Sequence, residues 1–175
     1  MTAQAKPLPM WRRPLREQLQ TTTPWLVSAT AALLLALLVL NHYVVIGPNR
    51  TGSLPESIFV ILKNGEVPER GGYVGFFPGP NRYYADNSFF VKKLVGLPGD
   101  TVTYVDGVFH VNGAPVAKTK PTAKDGQALV PGPVGVLPEC HYFVATNHPD
   151  GYDSRYQDIG WVGCHQIVGT AYAFP

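Results

Sequence analysis

The longest apolar stretch of the chain runs from Trp25 to Ile46 and contains no charged residue. As a helix it would reach roughly 33 Å, about the thickness of the hydrocarbon core of a bilayer. A cleaved signal peptide would have a shorter apolar region and a small-x-small cleavage site after it, and none follows before Gly47. The pattern therefore predicts a transmembrane helix at 25–46.

Beyond Gly47 the apolar residues form short runs separated by polar turns, a pattern that is typical of antiparallel strands. A hairpin is expected at Asp106-Gly107, because Asp and Gly tolerate the positive φ of a two-residue turn. The runs that predict strands are 57–63, 73–77, 89–95, 101–105, 108–111, 141–145 and 167–172.

The segment 114–138 breaks this pattern, because it is rich in Pro, Gly and Lys. Only 127–130 resembles a strand within it, so we expect a long connection there. The 175 residues of the chain leave room for one membrane span and one compact domain. The sequence thus predicts a mainly β domain at 47–175.

The charges indicate an orientation in the membrane and exclude one class of partner. The net charge is +2 and the fourteen Lys and Arg residues are scattered, so we expect no nucleic-acid partner. Basic residues beside a span stay in the cytoplasm, which predicts a cytoplasmic segment at 1–24 and an outward-facing domain. The charged residues ahead of the span are Lys6, Arg12, Arg13 and Arg16, against Glu17.

Cys140 and Cys164 are the two cysteines of the chain. In an oxidising compartment outside the membrane they can form a disulfide, and two buried free thiols are an equally good interpretation. A metal site needs several ligands at suitable spacing, and the five His residues do not show such a spacing. We therefore expect no metal.

The turn just beyond the predicted span, Asn49 to Pro55, contains a candidate nucleophile, Ser53. Gly52 permits a conformation that other residues resist, and Pro55 fixes the exit of the turn, so the serine can be held rigidly. Thr51 offers a second hydroxyl. Taken alone, the turn is better interpreted as an ordinary loop with a serine than as a catalytic site.

Lys92 and Lys93 lie inside an otherwise apolar strand, and alternation places them on opposite faces. Burial disfavours the ammonium form, so a buried lysine can act as a base at ordinary pH. A lysine on a strand also serves as a solvated guard against edge pairing. The pattern does not decide which of the two lysines is buried.

Three segments resemble, in order and spacing, the sequence boxes of type I signal peptidases, which use a serine/lysine dyad. The resemblance implies an antiparallel β domain of signal-peptidase type behind an N-terminal transmembrane helix. It also implies that Ser53 is the nucleophile, that Lys92 is the general base and that Lys93 is a basic structural residue. The segments are Ser53-Leu54-Pro55, Val91-Lys92-Lys93-Leu94-Val95-Gly96-Leu97-Pro98-Gly99-Asp100 and Asp153-Ser154-Arg155.

The same resemblance implies an oxyanion hole made by the Thr51 hydroxyl and the Ser53 amide, and no cofactor. The substrate would bind as an added strand, with pockets for small side chains lined by Leu54, Phe90 and Val91. Asp153 and Arg155 would form a structural ion pair near the active lysine, with Lys93 as a third member. The alternative is a surface salt bridge that contributes little.

The sequence departs from the housekeeping pattern at Gly151, where many members of the family carry a serine that orients the lysine. A single span, a compact domain and the sequence Asn49-x-Thr51-x-Ser53-x-Pro55 are similar to the TraF-like peptidases of conjugative transfer systems. Those relatives process pilin precursors, and some join the pilin ends into a ring.

We therefore expect a single-pass serine endopeptidase of the bacterial inner membrane, with its catalytic domain in the periplasm. Its partners would be membrane lipid and an exported, pilin-like precursor whose leader it removes. One alternative is a catalytically inactive, anchored assembly protein of a conjugation or secretion system, which Gly151 favours. The other is a self-cleaving regulator of the serine/lysine type, whose soluble cytoplasmic life conflicts with the predicted span.

Overall fold

The computed structural model describes residues 14–49, 51–85 and 88–175. The basic segment at 1–13, with Lys6, Arg12 and Arg13, lies outside them. A helix, α1, spans Leu15–Tyr43, and its portion Thr23–Tyr43 is long and apolar enough to cross a membrane. The side chains of that portion are exposed.

The helix ends three residues earlier than the predicted span at 25–46. Val44, Val45 and Ile46 belong to a β-strand that pairs antiparallel with the strand Ile58–Leu62. Their β-branched side chains favour extended backbone, so hydropathy alone placed the end of the helix too late. The chain divides into two compact units, one ending at His42 and one beginning at Tyr43.

The described residues of the second unit form eleven strands in two antiparallel sheets. The strands are β1 Val44–Pro48, β2 Ile58–Leu62, β3 Tyr73–Phe76, β4 Phe90–Gly96, β5 Thr101–Val105, β6 Val108–Val111, β7 Ala114–Lys118, β8 Gly135–Val136, β9 His141–Ala145, β10 Val162–Gly163 and β11 Ile167–Phe174. The larger sheet has the order β1-β2-β11-β3-β4-β9-β10, and the smaller has the order β7-β6-β5-β8. The predicted mainly β architecture is confirmed.

The predicted hairpin is confirmed, with β5 and β6 joined by Asp106 and Gly107, both at positive φ. The prediction of a long connection at 114–138 is partly wrong, because β7 and β8 lie within this segment. Pro115 and a register shift opposite it hide the strand pattern of β7, an edge strand where proline is tolerated. The segment 127–130 is not a strand; Ala128 forms an isolated bridge to Thr122.

The middle strands of the larger sheet carry the core. Alternate residues of β9 enter two clusters: Val144 packs with Leu94 and Val74, whereas Phe143 packs with Val102 and Phe109. β4 lies between β3 and β9. Residues of β4 are therefore held from both sides by buried strands.

The structure joins Cys140 and Cys164, which are 24 positions apart in sequence, by a disulfide. Cys140 precedes β9, and Cys164 begins a short 3₁₀ turn that links β10 to β11. The bond is accompanied by a backbone hydrogen bond of 2.9 Å from the Cys164 amide to the Cys140 carbonyl oxygen. This crosslink ties the loop 146–161 to the sheet at both of its ends.

Replacing Cys140 and Cys164 together by serine is expected to lower the free energy of unfolding by roughly 3 kcal/mol, because the crosslink restricts the unfolded chain. Urea denaturation of both proteins, with and without dithiothreitol, measures this loss. Dithiothreitol should destabilise the wild type to the level of the variant and leave the variant unchanged. Equal midpoints for the two oxidised proteins would contradict the contribution of the disulfide.

Candidate active site

The turn that carries Ser53 is organised by the side chain of Asn49. Its Oδ1 accepts hydrogen bonds from the amides of Thr51 (3.3 Å) and Gly52 (3.1 Å). Its Nδ2 donates to the carbonyl oxygens of Leu54 (2.7 Å) and Glu56 (2.9 Å). Gly52 has φ of 61°, a conformation that favours glycine. One side chain therefore fixes both sides of the turn.

The role of Asn49 was missed by the sequence analysis. The available signal was an Asn placed two residues before Thr51, since Asn side chains often bond to backbone amides two residues ahead in a turn. Its contacts to the carbonyl groups beyond Ser53 depend on the full path of the turn and have no sequence signature.

The structure brings Lys92 and Ser53 together across 39 residues of sequence. The Lys92 Nζ donates a hydrogen bond of 3.0 Å to the Ser53 Oγ. Both side chains are buried, with 6% of Lys92 and 8% of Ser53 exposed. Lys92 shares a buried face of β4 with Phe90 and Leu94, as alternation predicts. A hydroxyl and a buried amine are thus within proton-transfer distance.

Burial lowers the pKa of Lys92, because the ammonium form loses its hydration. The carboxylate of Asp153 opposes this effect, and the guanidinium of Arg155 adds to it. The net direction is downward, which raises the neutral fraction of the amine at a given pH. The neutral amine is the form that can take a proton from a hydroxyl.

Thr51 places a second hydroxyl beside Ser53. Its Oγ1 lies 3.0 Å from the Ser53 Oγ, close enough for either group to donate a hydrogen bond. The Thr51 Oγ1 also donates a longer hydrogen bond of 3.4 Å to the Asn49 Oδ1. The turn therefore presents a hydroxyl next to the atom that would attack a carbonyl group.

Lys93 points to the other face of β4 and is only partly buried. Its ammonium lies 5.6 Å from the centre of the Tyr73 ring, in a cation–π geometry. Within the described part of the chain, Asp153 pairs with Arg155, and no salt bridge joins Lys93 to Asp153. The expectation that Lys93 is a third member of their ion pair is wrong, because the strand turns it to the opposite face.

Asp153 and Arg155 form a fully buried ion pair, in contrast to a surface salt bridge. The Arg155 Nε lies 2.7 Å from the Asp153 Oδ1, and the Arg155 Nη2 lies 2.9 Å from its Oδ2. The guanidinium also donates to the carbonyl oxygens of Lys118, Thr146 and His148. The pair thereby joins β7, the end of β9 and the loop behind Lys92.

A cavity of about 490 Å³ opens over the Ser53 and Lys92 side chains. Leu54, Phe90 and Val91, the residues predicted to line substrate pockets, all border it. Phe59 and Phe89 add further apolar surface. An extended peptide of small apolar residues would fit the character of this wall.

A second cavity of about 860 Å³ adjoins the first, and Thr51, Tyr84, Asp150 and Tyr152 border both. One wall comes from residues 120–125. They belong to the connection at 114–138, whose role the sequence left open. Tyr83 and Tyr152 pack edge to face on the other side. The two cavities are thus neighbours that share a border at Thr51.

The described residues contain no group of three His, Cys, Asp or Glu side chains that could hold a metal ion. The chemistry that this arrangement can perform is that of a hydroxyl, an amine and backbone dipoles. Acyl transfer uses a hydroxyl as nucleophile, an amine as base and hydrogen-bond donors for the oxyanion.

Comparison with known proteins places this site in a family context. The family model described as signal peptidase, peptidase S26, matches residues 18–174. Signal peptidase I T of Bacillus subtilis (strain 168) is 30% identical over 172 residues, which cover 89% of this chain and 86% of the relative. Signal peptidase I S of the same organism is 32% identical over 165 residues, with 84% and 85% covered.

Two further similarities are more limited. Conjugal transfer protein TraF of Agrobacterium tumefaciens (strain 15955) is 37% identical over 68 residues, covering 38% of each chain. The crystal structure of a signal peptidase I from Enterococcus faecalis V583 superposes with a TM-score of 0.39 at 26% identity. It covers 60% of this chain and 97% of that chain.

Replacing Lys92 by methionine, a chain of similar length without charge, is expected to raise the free energy of unfolding at pH 7. The reason is that folding no longer dehydrates an ammonium group. The gain is about 1.4 kcal/mol for each pH unit by which the folded protein lowers the pKa of Lys92. Urea denaturation at pH 7 and pH 10 measures it.

The sign of the pH dependence follows from proton linkage. Between the lowered pKa of folded Lys92 and its ordinary value of 10.5, the unfolded wild type binds more protons than the folded protein. Wild-type stability therefore gains from rising pH in this window, and the advantage of the variant shrinks. Lys93→Met is the matched control and should show no comparable advantage at pH 7. An equal gain in both variants would contradict the assignment to burial of Lys92.

Proposed function

This chain belongs to the peptidase S26 family of signal peptidases, and we propose that it is a membrane-anchored serine endopeptidase in which Ser53 is the nucleophile and Lys92 the general base. The observation that carries this proposal is the 3.0 Å contact between the Lys92 Nζ and the Ser53 Oγ, two buried side chains that border an open cavity. A serine/lysine pair of this kind is a known variant of the catalytic triad.

The reaction is an acyl transfer in two stages. The neutral Lys92 amine takes the Ser53 proton as the Ser53 Oγ attacks the scissile carbonyl, and the resulting oxyanion is stabilised by the Ser53 amide and the Thr51 hydroxyl. The C–N bond then breaks, and Lys92 returns the proton to the departing amine. Water, deprotonated by Lys92, then attacks the acyl-enzyme. The bond from the carbonyl carbon to the Ser53 Oγ breaks, Lys92 returns the proton to that Oγ, and the second product leaves.

The substrate is an extended segment of an exported precursor. The apolar wall of Leu54, Phe90 and Val91 supports small apolar side chains on the acyl side of the scissile bond. The second cavity, which shares a border with the first at Thr51, provides room for the chain on the amine side. Backbone pairing with an exposed strand edge would hold such a segment in register.

Two features support anchoring to the bacterial inner membrane. They are the apolar helix α1 and a group of exposed apolar side chains on the larger sheet, whose first strand follows α1 in sequence. The span Thr23–Tyr43 runs directly into β1. Ile46, Ile58, Tyr172 and Phe174, from neighbouring strands of one sheet, are large apolar side chains that are exposed. Such a patch fits contact with membrane lipid. The segment 1–24 lies in the cytoplasm, and the domain 47–175 lies in the periplasm.

A conjugative pilin precursor is the proposed substrate. The partial similarity to a conjugal transfer protein TraF and the sequence Asn49-x-Thr51-x-Ser53-x-Pro55 support it. A ring needs a second cut, behind the last residue of the pilin, in which Ser53 becomes acylated by the pilin's C-terminal carbonyl and the following peptide leaves as the amine. Attack of the pilin's own N-terminal amine on this acyl-enzyme, in place of water, then closes the ring and releases Ser53. The same active site would then perform both cleavage and cyclisation.

Co-expression with the candidate pilin precursor from the neighbouring genes tests the dyad. Wild type is expected to cut the precursor. Ser53→Ala and Lys92→Ala should each reduce the rate of cutting by a factor on the order of 10³ or more, because each removes a group that acts in the transition state. Lys93→Ala is the matched control and should retain cutting. Mass spectrometry gives the cleavage site and identifies a ring as a product one water lighter than the trimmed chain.

Two results of this experiment would redirect the assignment. Cutting that survives Ser53→Ala would contradict the mechanism. A precursor that stays uncut with all four proteins, while conjugation proceeds equally with Ser53→Ala in place of wild type, would favour the inactive assembly protein.

The orientation in the membrane is tested with an alkaline phosphatase fused after Pro175. The fusion is expected to be active, because the phosphatase needs disulfides that form outside the cytoplasm and the basic N-terminal segment stays inside. A green fluorescent protein fused at the same position, fluorescent only in the cytoplasm on this export route, should stay dark. Fluorescence together with an inactive phosphatase would support the cytoplasmic self-cleaving regulator.

A further inference from the structure

A neutral lysine amine has one lone pair and two N–H groups, and only the lone pair can take a proton. In the proposed dyad the lone pair of Lys92 has to face the Ser53 hydroxyl, so its N–H groups must point elsewhere. Among the described residues, the hydrogen bond of the Lys92 Nζ is the one to the Ser53 Oγ. The nearest ring, Phe90, has its centre 5.8 Å away. An acceptor that turns the amine toward Ser53 is therefore needed.

Thr146 is the hydroxyl that the sheet places beside Lys92. The register of β4 and β9 pairs Lys93 with Ala145, so the next residues along, Lys92 and Thr146, are neighbours on the opposite face of the sheet. Only 2% of Thr146 is exposed. Both residues are thus buried on the same face of the sheet, and among the described residues no hydrogen bond yet joins the Lys92 Nζ to the Thr146 Oγ1.

The hydroxyl of Thr146 has capacity to accept a hydrogen bond. It donates to the Asp153 Oδ2 over 3.5 Å, at the long limit for such a bond. A hydroxyl has two lone pairs in addition to its proton. With its proton directed at Asp153, the lone pairs of Thr146 remain for an N–H group of the Lys92 amine.

Gly151 leaves the space that the Thr146 hydroxyl occupies. A Cβ atom at position 151 would lie 2.3 Å from the Thr146 Oγ1, far inside contact distance. Gly151 is not among the residues with positive φ, so a side chain is excluded by lack of space and not by backbone conformation. The same Cβ would also lie 2.8 Å from the Arg155 Nη2 and 2.9 Å from the Asp153 Oδ2. Thr146 makes the closest of the three contacts, so the two positions are coupled, and the buried ion pair closes the rest of the space.

We propose that Thr146 is a positioning residue for Lys92, whose hydroxyl accepts an N–H group of the amine and directs its lone pair at Ser53, and that Gly151 is required to make room for this hydroxyl. The proposal rests on the proposed serine/lysine dyad. It adds Thr146, the residue directly after β9, to a site whose other members lie on β4 and in the turn that carries Ser53.

Thr146→Val and Thr146→Ser in the full chain test the role of the hydroxyl, with cleavage of the precursor as the assay. Valine keeps the branched shape and loses the acceptor, so kcat should fall about tenfold or more with KM little changed. Serine keeps the hydroxyl and should restore most of kcat. Thr146→Val with kcat within twofold of wild type would overturn the proposal.

The pH profile separates positioning from a merely structural role. An oxygen that accepts from nitrogen favours the ammonium form, so its loss lowers the pKa of Lys92. The acidic limb of kcat/KM should then move to lower pH in Thr146→Val and stay in place in Thr146→Ser. The other charged groups near the amine, Asp153, Arg155 and Asp150, are the same in both variants. An unmoved limb in Thr146→Val would overturn the proposal.

The coupling of the two positions is tested by a double-mutant cycle. Gly151→Ala should lower kcat in wild type, because the new Cβ displaces the hydroxyl. The same substitution should cost less in a Thr146→Ala background, where the nearest colliding atom is gone. Equal costs in both backgrounds would contradict the steric part of the proposal.

A measurement that needs no substrate keeps this test independent of the proposed function. The pH dependence of Lys92 acetylation by acetic anhydride, followed by mass spectrometry of Lys92 peptides, reports the pKa of the amine directly. It should be lower in Thr146→Val than in wild type and Thr146→Ser, even if no precursor is cut. Cutting that survives Ser53→Ala would refute the dyad, whereas unchanged Lys92 labelling in Thr146→Val would refute only the role of Thr146.

Discussion

The contact between the Lys92 amine and the Ser53 hydroxyl can persist only in a place that is both dry and rigid. Water around the amine would favour the ammonium form, and a mobile turn would lose the 3.0 Å distance. β4 supplies the dryness, because strand alternation directs Lys92 into the same buried layer as Phe90 and Leu94. Asn49 supplies the rigidity, because its side chain bonds to both sides of the turn.

A buried lysine is stable as an amine only if no anion sits against it, since a carboxylate in contact would restore the charged form. Asp153 is the carboxylate that acts to raise the pKa of Lys92, and its two oxygens are engaged by Arg155. The positive charge of Arg155 opposes the effect of Asp153 on the pKa of Lys92. The buried ion pair therefore holds segments of the site together and adds little net charge beside the amine.

That role explains why an expensive buried ion pair is tolerated. Removing two charges from water costs several kcal/mol unless their hydrogen-bonding groups are satisfied. Here the guanidinium also reaches the carbonyl oxygens of Lys118, Thr146 and His148, which lie on different segments. Arg155 thereby fixes the loop behind Lys92 to β7 and to the end of β9. The disulfide constrains the same loop from its outer ends.

The sequence predicted what depends on local periodicity and could not predict what depends on the meeting of distant segments. Hydropathy gave the apolar helix, and Asp106-Gly107 gave the hairpin, because both signals lie within a few residues. Periodicity could not separate Lys92 from Lys93, since one residue of register exchanges the two faces. The separation came from family resemblance, and the structure places Lys92 on the buried face.

Gly151 shows how a departure in sequence can be misread when space is not considered. Taken as a missing hydroxyl, it favours an inactive assembly protein. In the fold, a side chain at 151 would collide with the Thr146 hydroxyl, which occupies the same volume. Because the site can receive a hydroxyl from Thr146, directly after β9, instead of from position 151, the glycine fits a site with a threonine at position 146. Gly151 is therefore no longer an argument for an inactive protein. The buried contact of Lys92 with Ser53 still supports a serine/lysine dyad.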